Sequence, residues 1–95
     1  MKVHYTELAE QDLVEIGIYT WMEWGDDQYG TYMALLRDAC EKIIPQKRRL
    51  ARPVPGRPEL RRWRCERHVI YFRVKGSDLE IVRIPHERML PKRHL

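Results

Sequence analysis

Tyr29, Tyr32, Met33, Leu36, Ala39, Cys40 and Ile43 succeed one another at steps of three and four, and past Pro45 that period is lost. A stripe at this spacing is one face of an amphipathic helix, which needs a flat apolar partner to bury it. From Leu60 the apolar residues recur at steps of two instead, the period of a strand. A chain of 95 residues built this way has room for one helical layer on one sheet, as a single domain spanning 1–95.

The remaining elements fall on either side of that change. Lys2 to Tyr5 alternates polar and apolar as a short first strand. Thr6 offers an N-cap, and Glu7 and Glu10 place negative charge in the first turn, where the helix dipole favours it. Ala9, Leu13, Ile16 and Thr20 follow at helical spacing, with Tyr19 and Trp24 flanking them. Gly17 inside that helix marks a close helix–helix approach. Gly25 ends the helix, Asp26 or Asp27 caps the next, and Pro45 stops it, so the two helices form an antiparallel hairpin. Gln46 to Glu59 carries Pro53, Pro55, Gly56 and Pro58 and reads as a basic loop. Leu60–Arg67, His68–Lys75 and Asp78–Ile84 read as three strands, with a hairpin turn at Lys75–Asp78.

The formal net charge of +4 conceals a division. Residues 1–42 carry three basic and nine acidic side chains, a net of −6, whereas residues 43–95 carry fifteen basic and five acidic, a net of +10. Such a field steers a polyanion or an acidic protein toward the second half, or else the cations keep a sheet surface soluble. The longest uncharged apolar-leaning run, Ile16 to Met22, is far short of the ~20 residues of a membrane span. The N-terminus lacks the apolar run of a signal peptide, and two cysteines are too few for a disulfide framework, so a cytoplasmic domain is expected. No metal-ligand spacing, phosphate loop or HExxH motif occurs, and no cofactor is implied.

Two helices can cover one face of a sheet only. The middle strand is nevertheless apolar on both: Ile70, Phe72 and Val74 on one face, Val69 and Tyr71 on the other, and the last strand sets Leu79 and Ile81 against Val82 and Ile84. The second face is therefore expected to bind a partner, unless the long loop and the tail fold back over it. Trp21 and Trp63 are the aromatics hardest to place in a core; Trp63, between Arg62 and Arg64, can stack on a base, receive an apolar segment or cover the sheet edge. Cys40, on the apolar stripe, is a buried small hydrophobe. Cys65 has Arg64 and Arg67 beside it, which would lower its thiol pKa. His86 and His94 lie in a tail with Arg88, Lys92 and Arg93. That tail holds a base, a proton donor and cations for metal-free RNA cleavage, or simply contacts phosphates or carboxylates on a partner.

The segments RHVIYFRV and LEIVRIPHERMLPKRHL resemble the C-terminal signature of the ParE toxins, in the RelE/ParE superfamily. LAEQDLVEIGIYTWMEWG resembles that family's first helix at Ala9, Asp12, Leu13, Ile16, Tyr19, Trp24 and Gly25, and RPVPGRPELRRW resembles its Gly-Arg loop. The resemblance implies an α+β fold of order β-α-α-β-β-β, a helical hairpin packed on one face of a mostly antiparallel sheet. It implies a type II toxin that inhibits DNA gyrase without being an enzyme. It also implies a ParD-like antitoxin partner, in a hetero-oligomer such as a heterotetramer, and no sequence-specific DNA binding by this chain alone. Arg83, His86, Arg88, Met89, Lys92, Arg93 and His94 are the expected target contacts. Trp21, Trp63, Arg64, Val69, Tyr71 and Arg73 are the expected antitoxin contacts. RelE relatives cut mRNA on the ribosome with a Tyr or His near the C-terminus. This tail has no Tyr, and a ribonuclease here would rely on His86, Arg88 and His94. A chain that only binds its antitoxin is the third alternative.

Overall fold

The computed structural model of the chain describes residues 1–88. Strand β1 (Val3–Tyr5) leads into helix α1 (Glu7–Trp24) through Thr6. The Thr6 hydroxyl accepts the Ala9 N–H at 3.0 Å and donates to the Val82 carbonyl at 2.7 Å, so one residue caps the helix and pins it to the last strand. Helix α1 buries Ala9, Leu13, Ile16 and Thr20. Gly17 meets α2 (Asp26–Asp38) closely: a Cβ there would lie 3.0 Å from Tyr29 Cε1.

The joint between the helices is Gly25 alone, with φ of 87°, a conformation open to glycine at no steric cost. Neither Asp26 nor Asp27 caps α2; Asp26 instead accepts the Trp21 indole N–H at 2.6 Å. Pro45 does not end the helical run either. A π-helical turn, Ala39–Ile43, follows α2, with the Ile44 N–H reaching back to the Ala39 carbonyl. Pro45 then sits in the first turn of α3 (Ile44–Lys47), where a missing N–H is tolerated.

Strands β2 (Arg52–Val54), β3 (Arg57–Cys65), β4 (His68–Lys75) and β5 (Asp78–Arg83) complete a sheet of order β1-β5-β4-β3-β2. It is antiparallel except where β1 runs parallel to β5. The Gln46–Glu59 stretch is thus not all loop: β2 forms within it, because an edge strand can carry Pro53 without losing a ladder bond.

The main core lies between helices and sheet and includes Leu13, Leu36, Ile44, Ile70, Phe72, Leu79 and Ile81. The far face is not left bare. Val54 and Leu60 pack with Tyr71 there, with Val69 and Val82 partly buried against them. The chain segment expected to be a loop therefore covers part of the face through Val54, which is the loop half of the alternative; the tail from residue 89 lies outside the described residues. Ile84 belongs to the main core rather than to that face. The ladder pairs Phe72 with Ile81 but Tyr71 with Arg83, so Val82 is an extra residue and the alternation breaks there.

Candidate functional site

Between α1, the start of α2 and the end of β5 lies a groove of about 630 Å³. Ile16, Tyr19 and Trp24 wall one side, and Arg67, His68 and His86 the other. The groove exists because the β4–β5 ladder runs on past its strands. Val69 N–H donates to the Pro85 carbonyl at 3.0 Å, His68 bridges His86, and Glu87 N–H donates to the Arg67 carbonyl at 2.8 Å. His68 and His86, eighteen positions apart in sequence, thereby become neighbours, their ring centroids 5.3 Å apart and nearly perpendicular.

Tyr32 reaches the same point from α2. Its hydroxyl accepts the Arg67 N–H at 3.1 Å and shares a second hydrogen bond, 2.6 Å long, with His68 Nδ1. Burial, with the neighbouring His86 adding to it, pushes the His68 pKa down to about 4. Burial also raises Tyr32 above the ordinary phenol value. His68 is thus a neutral hydrogen-bonded group at pH 7. His86 Nδ1 accepts the Arg88 N–H at 3.2 Å.

Asp12 anchors the groove floor. Its carboxylate accepts from Arg83 Nε at 2.8 Å, from Arg83 Nη2 at 2.9 Å and from the Ile84 N–H at 2.8 Å. Two forked donors and a backbone N–H satisfy a buried carboxylate, and in return Asp12 raises the Arg83 pKa. The pair fixes the end of β5, and with it the direction in which His86 and Arg88 leave the sheet.

The solvent side of α1 carries a second apolar stripe. Val14, Ile18, Trp21 and Met22 are 61%, 54%, 55% and 72% exposed. A helix apolar on two sides needs a second partner for the outer one. That stripe meets the groove at Tyr19 and Trp24, themselves exposed.

A family model described as the ParE toxin of the type II toxin–antitoxin system parDE matches residues 3–91. The chain belongs to the ParE toxin family. It is 31% identical to Toxin ParE1 of Caulobacter vibrioides over 93 residues, which is 92% of this chain and 90% of that protein. It is 34% identical to Toxin ParE of Escherichia coli over 85 residues, 88% of this chain and 82% of that protein. A structure of the chromosomal ParDE system of P. aeruginosa has the same fold, with a TM-score of 0.76 at 24% identity, covering 90% of this chain and 95% of that one. The Mycobacterium tuberculosis RelBE2 complex shares it at a TM-score of 0.67 and 15% identity, with the same coverage. The α+β architecture expected from the sequence is therefore that of the ParE and RelE folds.

Within this ParE-family scaffold the expected contact residues are scattered. His86 lines the groove, Arg88 follows it with its N–H on the His86 ring, and Arg83 lines the groove in its pair with Asp12. Met89, Lys92, Arg93 and His94 lie outside the described residues. Of the expected antitoxin contacts, Trp21 is exposed on α1, whereas Trp63 packs against the main core. Arg64 pairs with Glu87 and Arg73 with Glu80 at 2.7 Å, both on the sheet. Val69 is partly buried and Tyr71 fully so, which makes Tyr71 a packing residue of the far face rather than a surface one. Cys40 is buried and its thiol is pushed up to about 12. Cys65 is also raised, by burial and by Glu66, so the adjacent arginines do not activate it. Sequence reasoning missed Tyr32, His68 and, apart from Trp21, the α1 stripe. Val14, Ile18 and Met22, at successive steps of four, were the available signal for the stripe.

The depressed His68 pKa has a measurable consequence. The unfolded chain protonates this imidazole near pH 6.5, the folded one only near 4, so between those values the unfolded state binds more protons. Folding stability is therefore expected to fall as pH drops from 6.5 to 4. His68→Asn, which keeps an acceptor for the Tyr32 hydroxyl, should flatten that dependence in urea titrations; an unchanged slope would show that other groups set it.

Proposed function

We propose that this chain is the toxin of a bacterial type II pair, that a ParD-like antitoxin neutralises it in the cytoplasm, and that its target is DNA gyrase. Membership of the ParE family supports the toxin role. The observation that carries the antitoxin is the outer stripe of α1: Ile18, Trp21 and Met22 offer an apolar anchor row of the kind an amphipathic helix fills. The heterotetramer that the family resemblance implies suits such a surface, one antitoxin chain covering one toxin. For the target, His86, Arg88 and the basic residues Lys92, Arg93 and His94 beyond them are the contacts, and Arg83 serves by holding the strand end from which they leave.

For the Tyr32–His68 pair, the groove's chemistry supports a binding rather than a catalytic part. Metal-free RNA cleavage wants an acid and a base with pKa values near the working pH. Tyr32 is raised and His68 is lowered to about 4, so this hydrogen-bonded pair supplies neither. The ribonuclease reading keeps one observation in its favour, the Tyr32–His68–His86 chain of polar groups at the groove mouth. Expression in a bacterial host separates the readings. Growth arrest relieved by the co-expressed antitoxin, and retained by His86→Gln, is the expected result. Normal growth without antitoxin would contradict toxicity. Loss of arrest in His86→Gln, with target binding intact, would favour catalysis.

A further inference from the structure

The opposite end of the sheet, around β2, carries arginines on both sides of its edge, Arg48, Arg49 and Arg61 toward Phe72 and Arg52 and Arg62 toward Tyr71, that the groove and the α1 stripe do not use. Arg52 faces Arg62 directly across the β2–β3 ladder, and Pro53 faces Arg61. Like charges in facing positions repel, and the partner Arg62 has inside the chain is the neutral Tyr71 hydroxyl rather than a carboxylate. Arg48 and Arg49, from the turns leading into β2, share a cleft of about 320 Å³ with Arg61. The carboxylate lining that cleft, Glu59, is taken by Arg57 at 2.9 Å. Among the described residues, Arg48, Arg49, Arg52, Arg61 and Arg62 enter no ion pair. Two are propped by carbonyls: Arg48 Nη1 donates to the Pro45 carbonyl at 2.6 Å, and Arg61 Nη1 to the Ala51 carbonyl at 3.0 Å.

We propose that these five arginines at the β2 end form a sequence-independent binding site for the phosphate backbone of duplex DNA. Guanidinium groups held without carboxylate partners match phosphate oxygens in geometry and charge. Strand addition is not the use of this edge, because Pro53 has no N–H to give and Pro55 follows it. A protein partner would look for aromatic anchors, and a single strand would look for aromatic faces on which its bases stack. Leu50 and Val74 are exposed nearby, but Tyr71 and Phe72 are buried and Trp63 packs into the main core. The cation density without aromatic platforms favours a duplex, which carries one charge per about 1.7 Å of axis. The site does not rest on the gyrase reading, and it adds to a toxin acting on a DNA-bound enzyme a contact to the DNA itself.

The test is fluorescence anisotropy of the full chain with a short labelled duplex over a salt series. Five phosphate contacts predict an affinity that falls roughly 500-fold between about 50 and 200 mM salt, equally for unrelated sequences. The double variant R49Q/R52Q should reduce the log–log salt slope by about 2 and weaken binding roughly 60-fold at about 0.1 M salt. Both side chains are exposed, and R52Q relieves the facing Arg52–Arg62 pair, so its thermal midpoint should equal or slightly exceed the parent's. The control R67Q/R88Q removes equal charge at the groove end and should change the slope by well under half as much. Equal effects of the two pairs would mean net charge alone and would overturn the site. So would unchanged binding by R49Q/R52Q, tighter binding of single-stranded RNA, or competition by polyglutamate as strong as by duplex DNA.

Discussion

Asp12→Ala is expected to destabilise the chain by about 3 kcal/mol, the range for breaking one side of a buried ion pair. The side chains of Asp12 and Arg83 are only 10% and 21% exposed, so removing the carboxylate takes the bidentate partner from a guanidinium with little access to water. It also orphans the Ile84 N–H, a buried backbone donor whose desolvation alone costs about 1–3 kcal/mol. For a domain of this size a loss of about 3 kcal/mol lowers the thermal midpoint by roughly 12–24 °C. Asp12→Asn retains one acceptor oxygen but not both, and should fall between the parent and Asp12→Ala. Urea unfolding monitored by tryptophan fluorescence gives the comparison directly. A loss below about 1 kcal/mol for Asp12→Ala would show that the pair is solvated well enough to be a surface ion pair. In that case the end of β5 would not depend on α1 for its position.

Ile18→Asp with Met22→Asp is expected to weaken binding of the proposed ParD-like antitoxin at least 100-fold, about 2.7 kcal/mol, with little change in folding stability. Both residues are more than half exposed on the outer face of α1, so their replacement removes no core contact. Trp21→Ala should cost roughly 30-fold by itself, as a large amphipathic ring at the middle of that row. Its indole also bonds Asp26, an exposed contact whose loss matters little to the fold. Calorimetric titration of each variant measures the effect. The informative comparison is Arg64→Ala with Arg73→Ala on the far sheet face. If those changes abolish binding while the α1 variants bind normally, the antitoxin covers the sheet and not the helix.

The sequence was most legible where a pattern is local. The β4 strand appears with the bounds His68–Lys75 expected for it, since its apolar residues come in an unbroken run closed by a turn at Gly76. The Thr6 cap was equally readable, being set within one turn, and a glycine inside α1 pointed to the close approach that Gly17 makes to Tyr29 of α2. The errors share a cause: each involves a residue whose usual local effect is overridden by what lies beside it. Pro45 stops an ideal helix but not one that has just made a π turn. Pro53 argues against a strand, yet β2 is an edge. Ile84 follows the alternation of β5 only until the bulge at Val82.

The groove was less legible still. Tyr32 and His68 meet across 36 positions, and Asp12 and Arg83 across 71, and no spacing rule links residues that a sheet and a helix bring together only when packed. The α1 stripe was different. Of its residues only Trp21 was expected to meet a partner, because the two-sided strands pointed to the sheet for the rest of that surface. The structure partly fills that face with Val54, Leu60 and Tyr71.

The most direct test of the proposed function is a supercoiling and cleavage assay with purified gyrase, plasmid DNA and this chain, with and without its antitoxin. Inhibited supercoiling or trapped double-strand breaks, reversed by stoichiometric antitoxin and weakened by Arg88→Glu, is the result expected of a gyrase-binding ParE toxin. Full gyrase activity at micromolar toxin, from a preparation that arrests growth when expressed, would contradict it and turn attention to the ribosome.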